Sequence, residues 1–308
     1  MRYRIDLSYD GAPFCGWQIQ PGSPSVQETL EKALGTLLRG TVGVVGAGRT
    51  DTGVHALGYV AHFDFDGEVP PALLSPSGLD CDQLRYKLNA ILPQSVAVHA
   101  VKPVGDDFHA RFGAVRRSYS YFLHRCKDPF MEGRSCFYAY PDVDFDAMNR
   151  AARSLVGTHD FSCFEKSGGD NKTSVCTVFS AGWLPYEPVI ASAVMPGPST
   201  VMPGLTGHPY WRFNITADRF LRNMVRAIVG TLLEVGRGRR TEEDFEKLVL
   251  PVQEMPDQVG HDGIVAGHDE AGGHDEERHC RLDRQSLRPN AGESAPGHAL
   301  YLTSVLYD

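Results

Sequence analysis

Residues 46–65 read GAGRTDTGVHALGYVAHFDF. Glycines at 46, 48 and 53 surround Arg49, Thr50 and Asp51, and Val54 to Phe65 carries the pattern of a strand. Glycine tolerates backbone conformations that other residues resist and lets a partner's backbone come close, so the turn can present its polar side chains to a large ligand. It is not a phosphate-cradling loop, because G-x-x-x-x-G-K-[ST] occurs nowhere in the chain. Taken alone, an Arg-x-Asp triplet also reads as a local ion pair bracing a turn.

Outward from this turn the patterns alternate between strand and helix. Ile5, Leu7 and Tyr9 alternate with Arg4, Asp6 and Ser8, which predicts a strand with one face in a core. Ser25 and Glu28 form a capping box, after which Val26, Leu30, Leu34, Leu37 and Leu38 recur at helical spacing as far as Gly40. A helix is expected over 80–92, ended by Pro93, and a strand over 95–101. The first half is therefore α+β, and similar elements recur from about residue 105. Strands are expected at 118–124, 173–184, 210–216 and 299–307, with helices at 145–155, 219–235 and from Thr241. Two domains follow, 1–104 with the Asp51 turn and 105–308. Residues 257–298 lack apolar periodicity and read as a loop insertion within the second.

The chain of 308 residues is 42% hydrophobic, enough for an ordinary core. Its formal charge of -8 argues against gripping a polyanion over the whole surface. The excess is local, however: residues 251–299 hold 10 acidic and 4 basic side chains, leaving 28 acidic against 26 basic elsewhere. RNA binding would then rest on concentrated arginines and weaken steeply with salt. The seven cysteines, with no C-x-x-C pair, fit a reduced cytoplasm. The opening MRYRID lacks an apolar signal segment, and the charge-free stretch 188–211 is too rich in proline and glycine to span a membrane.

The string GRTDTGVHA, preceded by Ser8-Tyr9-Asp10-Gly11 and Gly16-Trp17-Gln18, resembles the TruA family of tRNA pseudouridine synthases. Further matches are DDFHARF at 106–112, NMVRAIVG at 223–230 and ALYL at 299–302, so the likeness covers most of the chain. It implies a pseudouridine synthase fold: two similar α+β domains, mainly antiparallel sheets joined edge to edge, and helices on the outer face. It also implies an antiparallel homodimer around a basic cleft, with one or more of uridines 38, 39 and 40 of the tRNA anticodon stem-loop as targets. The reaction breaks the N1–C1′ bond of uridine and rejoins the base through C5, and it requires no oxidant, metal or nucleotide cofactor.

Such a reaction needs a carboxylate beside the ribose, and the resemblance assigns that role to Asp51. A carboxylate shut beneath a nucleobase loses hydration, so an opposite charge must keep it ionised, and Arg226 matches the family's partner arginine. Arg49 matches the arginine that fills the space of the flipped nucleotide, and its plane can stack on bases while its charge meets phosphate. Tyr119 matches the tyrosine that stacks on uracil and helps remove the C5 proton, although Tyr119 and Tyr121 also share a strand face that reads as core. Leu300 matches a leucine packing on the base; by spacing alone it is strand core. Arg111, Arg116, Arg117 and Arg222 are expected phosphate contacts, together with Arg125, Lys127 and Arg219, and Arg219, Arg222 and Arg226 are expected on one helical face. Ser118 replaces the family's arginine before the tyrosine. Three rival readings remain: a zinc site from His261, His268, His274, His279 and Cys280, a catalytically silent tRNA-binding protein, and a synthase with another RNA target.

Overall fold

The computed structural model describes residues 1–76, 78–166, 173–188, 207–252 and 291–308. The expected zinc ligands and nearly all of the expected insertion lie outside these residues, as does most of the 188–209 loop. In the first half, β1 (Arg2–Tyr9) buries Tyr3, Ile5, Leu7 and Tyr9, the alternation read from sequence. Helix α1 (Val26–Leu38) opens on the Ser25 hydroxyl, which accepts from the Glu28 amide, and closes through Arg39 in the left-handed region, one residue before Gly40. Strands β2 (Val44–Gly46) and β3 (His55–Asp64) and the small ribbon of β4 (Leu74–Ser75) and β5 (Gly78–Leu79) come next. Helix α2 (Cys81–Ile91), capped by Asp80, leads to β6 (Val96–Val104).

The second half contributes β7 (Ala114–His124), β8 (Cys136–Phe137), α3 (Phe145–Ala152), β9 (Gly157–Asp160), β10 (Val175–Pro185), β11 (Tyr210–Ala217), α4 (Met224–Gly236), α5 (Glu242–Glu246) and β12 (Leu300–Tyr307). Among the described residues one large, mostly antiparallel sheet runs β6-β1-β3-β12-β7-β11-β10-β9, with β2 on β3 and β8 on β7. The halves therefore meet edge to edge through β12, which pairs parallel with β3 (Tyr301 opposite His55) and antiparallel with β7 (Leu302 opposite Tyr119).

Two cores result. One packs α1 and α2 against β1, β3 and β6; the other packs α3, α4 and α5 against β7, β10 and β11. Strand β12 serves both, because Leu300 lies in the second core while Leu302 and Val305 lie in the first. Chain position does not divide the cores cleanly either: Val54 packs with the second and Ala110 with the first. No helix among the described residues is long and apolar enough to cross a membrane.

Two sequence readings need correction. Helix α4 starts at Met224, not Arg219, because Asn223 sits at φ 65° and breaks the helical path. Residues before it are fixed instead by Asp218, whose carboxylate accepts from the Thr177 and Arg219 amides. Phe220, four residues before Met224, imitates a helical step but packs edge-on against Tyr119 at 5.1 Å. Arg219 and Arg222 consequently share no helical face with Arg226. The insertion reading of 257–298 also runs too far at its end, since the irregular residues 291–298 pack against α4 and the Asp51 turn.

Candidate active site

The Asp51 turn is gripped from beneath. Thr50 is buried, its hydroxyl is 2.8 Å from the Tyr9 hydroxyl, and its carbonyl accepts from the Trp17 amide at 3.2 Å. The Val54 amide donates back to the Asp51 carbonyl at 3.1 Å. Gly16, at φ +94°, lies so close that a Cβ there would fall 2.3 Å from the Thr50 carbonyl oxygen. A Cβ on Gly11 would meet the Val54 carbonyl at 2.1 Å. The two short glycine motifs upstream of the turn are thus its floor. Four residues past Asp51, the buried His55 ring spans between segments: Nδ1 is 3.1 Å from the Gly11 amide and 3.0 Å from Asp10, and Nε2 donates to the His298 carbonyl at 2.9 Å.

Arg226 comes from the other half, at the third residue of α4. Its Nη1 is 3.4 Å from the Asp51 carboxylate, and its Nε donates to the Ala295 carbonyl at 2.7 Å. The motif NMVRAIVG explains how that carbonyl is delivered. The Asn223 amide group donates to the Ser294 hydroxyl at 2.7 Å, and Gly230 leaves room for the chain, since a Cβ there would lie 1.8 Å from the Glu293 carbonyl oxygen. The Ala295 amide returns a bond to the Arg226 carbonyl at 3.0 Å. Gly297 completes the contact, its Cβ position lying 2.6 Å from the Thr52 carbonyl oxygen. Sequence reading passed over this 291–298 segment. The signal was the Pro296-Gly297 turn before the final strand, masked by its merger with the acidic stretch.

Tyr119, on β7 opposite Leu302 of β12, is half-buried. Burial pushes its phenol up to about 12, the charge of Arg117 opposing and that of Asp51 adding. A phenol held there is neutral at ordinary pH, so it offers a flat ring and a hydroxyl and is a poor base until its own proton has gone. Leu300 is 4% exposed within the second core, beside Tyr121, which makes it an inner wall more than a surface contact.

The arginines divide. Arg49, Arg111, Arg116 and Arg222 are exposed, with Arg116 stacked over Phe179 at 4.3 Å. Arg117 is turned inward: it donates to the carbonyls of Ala47, Arg111, Ala114 and Asp218, at 3.0, 2.6, 3.1 and 2.7 Å. It braces the two halves, and the expectation of a phosphate contact does not fit a guanidinium so engaged. Arg125 is buried and donates to the Tyr140 and Pro141 carbonyls, which corrects the same expectation for it. Arg219 donates to the Thr173 carbonyl at 2.7 Å. Among the described residues, no group of three or more His, Cys, Asp or Glu side chains is placed to hold a metal.

What this geometry supports is a carboxylate on a braced turn, opposed by one arginine and within electrostatic reach of a neutral phenol, at the seam between two halves. Comparison with known proteins covers the Asp51 turn and the Arg226 helix. The family described as tRNA pseudouridine synthase matches residues 7–113 and 151–259. The tRNA pseudouridine synthase A of Porphyromonas gingivalis is 40% identical over 306 residues, covering 99% of this chain and 97% of its own. That of Bacteroides thetaiotaomicron is 41% identical over 306 residues, 99% of this chain and 90% of its own. The Bacillus licheniformis protein of the same name is 35% identical over 311 residues, with both chains covered in full. This chain belongs to the tRNA pseudouridine synthase family.

Proposed function

We infer that the protein isomerises uridine to pseudouridine in the tRNA anticodon stem-loop, at one or more of positions 38, 39 and 40. The observation that carries this reading is the Arg226–Asp51 pair, which joins the two halves at 3.4 Å on the turn that holds the family motif. Asp51 attacks the ribose or the base, or takes a proton in a glycal route, as the N1–C1′ bond breaks. The base turns, C5 bonds to C1′, the C5 hydrogen leaves as a proton and N1 gains one. Nothing is oxidised or reduced. Arg226 keeps the carboxylate aimed, and its second bond to Ala295 fixes the guanidinium from behind. Tyr119 stacks on the uracil, its neutral phenol beside C5.

Arg49, exposed on the turn, fills the gap left by the flipped nucleotide. Extruding the base costs a few kcal/mol, and a stacking guanidinium offsets part of it. Arg111, Arg116 and Arg222 serve as phosphate contacts, while Arg117 positions the strands and Leu300 backs the base pocket. The protein acts as a cytoplasmic homodimer, as the family resemblance implies, so that basic groups of two copies flank one tRNA. The test is tritium release from C5-labelled, unmodified tRNA without added cofactor. Release by the parent and none by Asp51→Ala is expected. Release at the parent rate by Asp51→Ala would overturn the assignment, and none by the parent would favour a silent tRNA-binding protein.

A further inference from the structure

The motif at 106–112 holds Arg111, and its backbone is anchored at several points. Arg2 donates to the Phe108 carbonyl at 2.8 Å, and the Ala110 amide donates to Nδ1 of the buried His62 at 3.1 Å. The Tyr307 hydroxyl donates to the Ala110 carbonyl at 2.7 Å. His109 closes the turn: its Nδ1 accepts from the Arg111 and Phe112 amides, both at 3.2 Å, and its carbonyl accepts from Gly113 at 2.8 Å. The inward residue of this turn is Ala110, fully buried. The outward one is Phe112, 76% exposed.

A lone exposed apolar residue needs no explanation, but one held outward by a turn with so many bonds does. The ring is flanked by the His109 ring at 4.4 Å and by the Arg111 guanidinium at 5.5 Å. Its place relative to the candidate site is set by Arg117, whose Nη2 donates to both the Arg111 and Ala47 carbonyls, so this turn and the Asp51 turn lie within one guanidinium of each other. Exposed Arg49 and Arg111 give that rim the charge that suits a polyanion.

We propose that Phe112 is a stacking platform for an unpaired base of the substrate RNA next to the target uridine, with Arg111 meeting the adjoining phosphate. Every base has a π-face, so the platform holds the strand without reading its sequence. The turn is preorganised, so little conformational freedom is lost when the base docks. The inference rests on the reaction proposed above and names a positioning contact for it.

Replacing Phe112 with Trp provides a reporter at the docking point, and a tRNA anticodon stem-loop transcript is the probe. Binding is expected to quench the new indole fluorescence relative to the parent. Phe112→Ala is expected to raise KM for tRNA about tenfold, the effect of losing one base stack, and to change kcat by less than about threefold. Circular dichroism melts of both variants should match the parent. Absence of quenching together with a parent-like KM for Phe112→Ala would overturn the proposal. So would full rescue by Phe112→Leu, which restores bulk without a π-face, or a Phe112→Ala chain that loses self-association with its KM intact. Failure of the parent itself to bind or modify tRNA would instead sink the underlying reaction, and this contact with it.

Discussion

Arg226 makes two bonds from one guanidinium, and the pair of substitutions Arg226→Lys and Arg226→Met separates charge from geometry. The Nε–Ala295 bond at 2.7 Å is charge-assisted and well placed, worth about 1.5–3 kcal/mol. The Nη1–Asp51 contact at 3.4 Å is longer and partly solvated, worth about 0.2–1 kcal/mol in the free protein. Arg226→Met should therefore destabilise the fold by about 2 kcal/mol, a fall in Tm of about 3 °C for a chain of this size, mostly through the stranded Ala295 carbonyl. A lysine keeps the charge but ends in a single ammonium on an unbranched stem, and so cannot satisfy Ala295 and Asp51 at once.

Activity should fall more than stability. Displacing a reacting carboxylate by about 1 Å costs on the order of a hundredfold in rate. Arg226→Lys is expected to lose about that much in single-turnover tritium release, with tRNA affinity within about threefold of the parent. Arg226→Met is expected to lose more, since Asp51 then has no opposite charge when the base closes over it. The decisive comparison is single-turnover rate against filter binding for all three proteins. A lysine variant that turns over at the parent rate would show that charge alone suffices, and the two-point tether would be discarded as the device that aims Asp51.

Gly230→Ala should reproduce part of this at a distance: a Cβ 1.8 Å from the Glu293 carbonyl oxygen must push the 293–295 segment away, costing about 1–3 kcal/mol by urea titration and slowing turnover without touching Asp51. Because the Tyr119 phenol is pushed up to about 12, tritium release should show no rising limb from it between about pH 8 and 10, and a rise in the parent that Tyr119→Phe abolished would contradict this. Burial, helped by the Arg2 charge, lowers His62 from 6.5 to about 4, so the folded chain refuses a proton that the unfolded chain accepts. Stability tied to His62 is then whole above pH 6.5 and lost as pH falls from there towards 4, and the denaturation midpoint of His62→Gln should be flatter across that window.

The parts of this architecture legible in sequence are those governed by local pattern. Strand β1 alternates because one face is buried, and α1 and α2 start at Ser25 and Asp80 because those side chains satisfy free amides, all of which can be read in a window of ten residues. What could not be read depends on partners far along the chain. Arg116 and Arg117 look alike as neighbours, yet strand alternation sends one over Phe179 and the other into four carbonyls drawn from both halves. The false start of α4 has the same origin: Phe220 falls at a helical step, but its ring is claimed by Tyr119 and the backbone turns at Asn223. Residues 291–298 carry no periodicity because they form no regular element before the single 3-10 turn at Gly297–Ala299; they are held by Asn223, Arg226 and Gly230, some seventy positions earlier. Those three belong to one eight-residue motif, so the motif specifies a docking track whose end delivers Ala295 behind Arg226 and His298 against His55. The strand that follows, β12, then enters between β3 and β7, and that insertion is what sets the Asp51 turn of the first half against Tyr119 and Arg226 of the second. The seam between the halves is therefore closed by residues 291–307, and shortening the link between Ala295 and Leu300 should separate Asp51 from Arg226, read as lost tritium release, and loosen the second core, to which Ala295, Ala299 and Leu300 belong.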